Sequence, residues 1–139
     1  MKLPRNHSRL NEIFKNAWVP DIFEFNGEYL VDMLTVLPSL KKFSHRKVFL
    51  TESKQVKGYN ILFRKMIWGH FFLEHGTYNG KDPLDVLVIN YARRENSFSF
   101  RMIDYVRCVE EGTLYLGRFN YMFFGKPRFL GYFTLSKAK

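Results

Sequence analysis

From residue 45 to residue 136 apolar and polar side chains alternate in short runs, and turn-forming clusters separate the runs at regular intervals. Alternation with a period of two puts every second side chain on one face of a β-strand. HRKVFLTE (45–52), LDVLVINYA (84–92), RMIDYVRCV (101–109), LYLGRFNYMFF (114–124) and RFLGYFTLS (128–136) each read as one strand. YNILFRKMIWGHFFLEH (59–75) is too long for an ordinary strand. It reads as one bent strand or as two meeting near Lys65, with Gly69 at a bend or a close backbone approach. Earlier, IFEF-NG-EYLVDMLTV carries a hairpin signal, because Asn26-Gly27 suits a type I′ turn. LPSLKK with Pro38, HGTYNGKDP and RRENSFS are connections. Only the N-terminus looks helical. Ser8 serves as N-cap with Glu12 following, Leu10, Ile13, Phe14 and Ala17 share a face, and the helix ends before Pro20.

These elements predict an all-β fold. The expectation is a single antiparallel up-and-down β-barrel of about eight or nine strands, since closure removes two exposed edges. One domain spans 1–139, with a helical segment over 1–19 and the barrel over 20–136.

Turn chemistry then suggests a register. A three-residue loop, Glu110-Glu111-Gly112 with Gly112 left-handed, pairs Val109 with Thr113 and brings Asp104 opposite Arg118 and Met102 opposite Asn120. A four-residue loop slips the pairing by one and separates Asp104 from Arg118; the three-residue form is preferred. A two-residue turn led by Gly125 places Arg118 opposite Phe133 and Leu116 opposite Leu135. The face holding Val106, Leu114, Leu116, Arg118, Met122, Phe133 and Leu135 is the more aliphatic and is assigned to the interior. The outer face is aromatic and basic, suited to the N-terminal helix or to a partner such as a second copy.

In that register Arg118, Asp104 and Asn120 cluster inside the barrel. They form either a structural ion pair or the polar floor of an apolar cavity, the makeup of many ligand sites. His70, between Trp68 and Phe72, reads first as a buried hydrogen-bonded histidine. Asn90 interrupts an apolar run and either lines a cavity or braces a loop. Cys108 points inward and is inert.

Composition narrows the class. The 139 residues are 46% hydrophobic, 25% charged and 18% aromatic, which is globular. No stretch is long enough for a membrane span, and MKLPRNHSRLNEIF has no secretory h-region. One cysteine permits neither an internal disulfide nor a zinc set, so a cytoplasmic location is expected. The net charge of +9 is uneven: residues 41–65 carry eight basic side chains and one acidic. That segment is either a solvated strand face or a footprint for nucleic acid, anionic lipid or an anionic ligand.

Catalytic motifs are thin. There is no Gly-x-Ser-x-Gly elbow, phosphate loop, dinucleotide fingerprint or His-Glu-x-x-His, and the four histidines have no metal-specifying spacing. No metal, cofactor or catalytic set is expected. Three functions are ranked. The first is binding of a small hydrophobic or amphipathic ligand, anionic or neutral, by Arg118, Asp104, Asn120, His70, Asn90, Phe133 and Leu116. The second is an isomerase, cyclase or hydrolase using Asp104 or His70 as acid–base. A nucleic-acid module on 41–65 ranks last.

The order of elements over about residues 20–136, closing on the hairpin GRFNYMFFGKPRFLGYFTL, resembles the calycin superfamily. These lipocalin-like barrels include fatty-acid-binding proteins and nitrobindin-like domains. The chain departs from their motifs: Trp18 precedes the first strand, and Arg118 and Tyr121 fall on opposite strand faces. The resemblance implies a cavity for a hydrophobic or amphipathic small molecule.

Overall fold

A computed structural model describes residues 2–35, 45–63, 65–78, 83–93, 96 and 101–138. The connection around Pro38, most of the turn at Asn79-Gly80 and most of RRENSFS lie outside the described residues. Eight strands follow one short helix: α1 (His7–Asn16), then β1 (Gly27–Met33), β2 (Arg46–Glu52), β3 (Gln55–Leu62), β4 (Met66–Tyr78), β5 (Leu84–Asn90), β6 (Met102–Glu110), β7 (Leu114–Phe123) and β8 (Lys126–Lys137). Every strand pairs antiparallel with its sequence neighbour, and β1 pairs with β8, so the sheet closes on itself. The fold is an all-β, up-and-down barrel. The long apolar run divides into β3 and β4 at a turn beginning with Phe63.

Alternation explains the inside of the wall. Phe49 on β2, Phe71 and Leu73 on β4, Leu87 and Ile89 on β5, Val106 and Cys108 on β6, and Phe133 and Leu135 on β8 all join one buried cluster. At one end of the barrel that cluster is aromatic and filled. Phe25 sits there with its ring centroid 4.6 Å from Tyr115, 5.0 Å from Phe49 and 5.5 Å from Tyr29. Burying such a ring contributes about 1.5 to 3 kcal/mol, which makes this end a firm plug.

Phe25 also explains why Asn26-Gly27 does not close a hairpin. Asp21 accepts a hydrogen bond from the Phe23 N–H at 2.9 Å and opens a single 3-10 turn over Ile22–Glu24. That turn delivers Phe25 into the barrel, and the first strand begins only at Gly27. The local turn propensity yields to the burial of one large ring.

The helix lies against the outside of the wall. Asn6 rather than Ser8 caps it, accepting from the Arg9 N–H at 3.1 Å. Leu10 and Phe14, as the helical spacing predicts, are fully buried, packed with Val86, Tyr105, Leu116 and Tyr132. The Arg107 guanidinium donates to the carbonyls of Phe14 and Lys15, at 3.0 Å each, and so satisfies the helix C-terminus. The aromatic outer face of β5–β8 therefore has α1 as its cover.

Two bulges set the register of β7, and both differ from the turn-based expectation. Cys108 pairs with Tyr115 and Glu110 with Leu114, leaving Val109 as an extra residue on β6. Phe119 pairs with Gly131 and Asn120 with Phe129, leaving Leu130 extra on β8. Gly112 is left-handed as anticipated, with φ of 73°, but the loop closes one residue later. Each extra residue shifts the pairing by one and exchanges the faces of the strand opposite. Consequently β6 and β8 present the expected residues inward, and β7 is inverted between them.

Candidate functional site

The inversion of β7 separates the expected cluster. Asp104 faces Phe119 across the ladder, and Arg118 faces Tyr105. Arg118 and Leu116 lie outside the barrel beneath α1, so neither reaches the interior with Asp104. Asn120 pairs with Ile103 and Phe129, both in the outer cluster, and its amide fits best turned toward the backbone carbonyls of Arg118 and Phe119.

Two further positions also fall outside. His70 is half-buried, its ring 6.1 Å from that of Tyr59. The Asn96 side chain bonds both the N–H and the C=O of His70, at 2.8 and 2.6 Å, and fixes the backbone there. Asn90 braces a loop: its Oδ1 accepts from the Ala92 N–H at 2.9 Å and its Nδ2 donates to Glu74 at 3.4 Å. Of the seven expected residues, Asp104 and Phe133 line the interior cavity.

That cavity, of about 270 Å³, occupies the end of the barrel opposite the Phe25 plug. Val31, Met33, Leu62, Met102, Phe119 and Phe133 supply apolar walls, and His45, Lys47, Trp68, Tyr91 and Asp104 supply polar groups. Lys47 is the centre of the polar side. It alternates in phase with Phe49 on β2, so its side chain enters the barrel and is 2% exposed. Its ammonium donates to Tyr91 at 2.5 Å and to Asn60 Oδ1 at 2.7 Å, and lies 3.6 Å from Asp104 Oδ2. The Tyr91 hydroxyl in turn donates to Asp104 Oδ2 at 3.1 Å. Rings of Phe71, Tyr91 and Phe133 surround the nitrogen at 5.3 to 5.7 Å, an arrangement that favours a cation.

Asn60 ties this cluster to the wall. Its Nδ2 donates to the Gly69 carbonyl at 2.9 Å, and its Oδ1 also contacts His45 Nε2 at 2.6 Å. Gly69 is at φ +60°, and a Cβ there would stand 3.0 Å from Asn60 Nδ2 and 3.3 Å from the Tyr91 ring. The glycine read as a bend in the sequence is thus also a close approach, turning both Trp68 and Phe71 inward on one strand.

Burial governs the proton affinities. It pushes the His45 imidazole down to about 3, with the nearby Lys47 charge adding to the effect and the Asn60 bond opposing it. His45 is therefore neutral near pH 7, and since Asn60 Oδ1 is an acceptor, its Nε2 carries the proton. Burial lowers Lys47 against the attraction of Asp104, and raises Asp104 against the attraction of Lys47 and Tyr91. Tyr91 moves well up for the same reason, so it stays a phenol and a donor. Cys108, buried in the core, has its thiol pushed up to about 11, which makes it a poor nucleophile.

Two polar atoms at the cavity have no hydrogen-bond partner among the described residues: Asp104 Oδ1, an acceptor, and Trp68 Nε1, a donor. Buried polar groups are nearly always paired, so these two leave hydrogen-bonding capacity unmet on the cavity wall; Arg107 Nε and Arg118 Nε, away from the cavity, are unpaired too. No acidic or histidine cluster able to hold a metal occurs among the described residues.

Sequence reasoning missed Lys47, Asn60, Tyr91 and His45. A signal for three was present. Lys47 falls in phase with Phe49, Asn60 with Val56, and Tyr91 with Leu87 and Ile89; the concentration of charge in 41–65 obscured the first. Within that segment, among the described residues, Lys47 is buried, Arg46 pairs with Glu28 at 2.7 Å and Lys57 pairs with Glu52 at 3.1 Å.

No family model matches this chain, and no curated protein matches it. Among solved structures it is similar to a protein from Thermomonospora curvata. The crystal structure of that protein aligns over 96% of this chain and 88% of its own, with a TM-score of 0.63 at 14% identity. The likeness is one of fold: an eight-stranded barrel. Among the described residues no helix is long and apolar enough to cross a membrane.

Proposed function

We propose that this protein is a lipocalin-like barrel of the calycin type that binds a small amphipathic molecule in the cavity beside Lys47 and Asp104. The observation that carries this reading is the pair of unpartnered buried atoms, Asp104 Oδ1 and Trp68 Nε1, on a largely apolar cavity whose other polar groups, Lys47, Tyr91 and His45, are already hydrogen-bonded. Such a site takes a ligand whose body fills the apolar walls and whose polar end donates one hydrogen bond and accepts another. At about 270 Å³ the cavity is at the lower limit of small-molecule sites, roughly 300 to 1,000 Å³, and suits a compact ligand over a long acyl chain. Lys47 is already balanced by Asp104, so a hydroxyl, amide or protonated acid fits better than a free anion.

Native mass spectrometry of the purified protein, repeated under denaturing conditions, tests this. A mass increment that disappears on denaturation, and that falls in Asp104→Asn and Trp68→Phe, supports the reading. Trp68 is also a local reporter once the other tryptophan is removed by Trp18→Phe. A panel of small aromatic and short-chain amphiphiles that leaves both its fluorescence and the melting temperature unchanged counts against the proposal.

The enzyme reading has one observation behind it: Lys47, Tyr91 and Asp104 form a proton-sharing group at the cavity wall. In that case Asp104 is the acid–base and His70, outside the cavity, takes no part. A pH–rate profile that keeps both limbs in Asp104→Asn removes Asp104 from that role.

A further inference from the structure

The end of the barrel that opens onto the cavity is shaped differently from the plugged end. Up-and-down topology brings the β3–β4 and β7–β8 turns to this open end, along with the chain leaving β1 and entering β2. The two hairpins are four strands apart in an eight-stranded ring, so they stand on opposite sides of the mouth. Both lose the in–out alternation at their tips. Residues 123–128 are all exposed, as are 63 and 65–67, which means these tips rise past the barrel wall.

What they present is apolar. Phe124 is 98% exposed and Phe63 53%, with Met66, Ile67, Phe123 and Leu130 also exposed. Phe63 and Phe124 occupy left-handed backbone, at φ 53° and 50°. Gly125 beside Phe124 is left-handed too, at 76°, which defines a two-residue turn of the kind that asparagine and glycine ordinarily fill. A bulky side chain is rarely found there. Phe124, at 98% exposed, is not repaid by burial within the fold, so it is placed outward at a conformational cost.

The charge around these tips has one sign. Residues 53–73 and 112–139 contain no aspartate or glutamate. Lys65, Lys126 and Arg128 are exposed at or beside the two turns. The plugged end differs: its turns carry Glu52 and Glu111 with Lys54.

We propose that the open end of the barrel docks on an anionic lipid surface, the two hairpin tips inserting their phenylalanines among the headgroups while Lys65, Lys126 and Arg128 contact lipid phosphates. Aromatic tips flanked by basic side chains are suited to the bilayer interface, where each basic group near the surface adds attraction to anionic lipid. Two other occupants fit less well. A second copy apposed mouth to mouth would bring two basic rims together. Nucleic acid would engage the basic groups and the phenylalanine rings, but it would leave the aliphatic surface of Met66, Ile67 and Leu130 without an apolar partner, which the bilayer interface supplies. Docking in this orientation turns the cavity mouth toward the membrane, but the proposal stands on the tips and does not require a ligand in the cavity.

Flotation of the full chain with vesicles tests it, using phosphatidylcholine alone and phosphatidylcholine mixed with phosphatidylglycerol. The expected result is flotation with the mixed vesicles that declines as salt is raised. Phe63→Ser/Phe124→Ser should lower the partition coefficient by about tenfold or more at an unchanged melting temperature, since both side chains are outside the core. Lys126→Glu/Arg128→Glu should abolish the preference for the anionic vesicles. Wild-type protein that stays with neither vesicle at low salt overturns the proposal, as does a serine variant that floats as well as wild type. A dimer that the serine variant dissolves assigns the tips to a second copy instead, and RNA retention lost in the glutamate variant assigns them to nucleic acid. Because the tips and the cavity are tested by different variants, failure of either reading leaves the other standing.

Discussion

Two cations sit on opposite sides of the same sheet, Lys47 buried and Arg118 half-buried, and their surroundings differ. Arg118, outside, is covered by the protein's own N-terminal helix. Its guanidinium donates to Asn11 at 2.9 Å, Tyr132 at 2.6 Å and Tyr78 at 3.0 Å, and Tyr132 also bonds Asn11. The Phe129 ring lies 4.3 Å from it. Each setting keeps one buried polar atom unpaired among the described residues, Arg118 Nε outside and Asp104 Oδ1 inside, and the difference is that Asp104, the partner of Lys47, lines a cavity whereas Arg118 lies under the helix. A buried charge is therefore not in itself the mark of a site. The mark is hydrogen-bonding capacity left over and facing space that a ligand can reach.

The strongest way to break this contrast is to remove one member of the inner pair. Lys47→Met or Asp104→Leu leaves an uncompensated charge in the barrel and should each cost about 3 to 5 kcal/mol in urea unfolding. The double variant Lys47→Met/Asp104→Leu should cost far less than the sum, because the desolvation penalty goes with the pair. Additive losses would mean that the two groups do not act together.

Acid titration comes next. His45 has a folded pKa of about 3 against an ordinary 6.5, so between those values the unfolded chain binds the extra proton. Stability from this residue is fully present above about pH 6.5 and is lost as pH falls toward 3, by an order of a few kcal/mol. His45→Gln should flatten that part of the stability–pH curve. An unchanged slope would show that His45 is not buried neutral.

Arg118→Leu should have a smaller effect, about 1 to 3 kcal/mol, the cost of leaving its hydroxyl and amide partners unsatisfied. The loss should be local. Amide exchange over His7–Asn16 should quicken while the barrel strands keep their protection. Equal quickening in β2 and β4 would place Arg118 in the same cooperative unit as Lys47 and erase the distinction. The smallest effect belongs to Arg118→Lys, which keeps the charge but cannot reach three partners in different directions; a modest drop in melting temperature is expected. A drop as large as that of Arg118→Leu would make the three-way bonding, rather than the charge, the whole of its contribution.

Much of the architecture was legible along the chain. Period-two alternation marked the strands, the Leu10/Ile13/Phe14 face marked the helix, and Gly69 and Gly112 were read as special backbone positions, since each of these signals depends only on near neighbours. Alternation also carried enough to place Asp104, Cys108 and Phe133 inside. It could not place β7, because single extra residues at Val109 and Leu130 reverse that strand against both neighbours, and a bulge has no reliable local signature. The choice of Asp104's partner was decided there: one residue of slip replaced an arginine on the adjacent strand with a lysine from β2, far away in sequence. Closure of the sheet, which brings β2 across from β6, is a property of all eight strands together, and no window of sequence contains it.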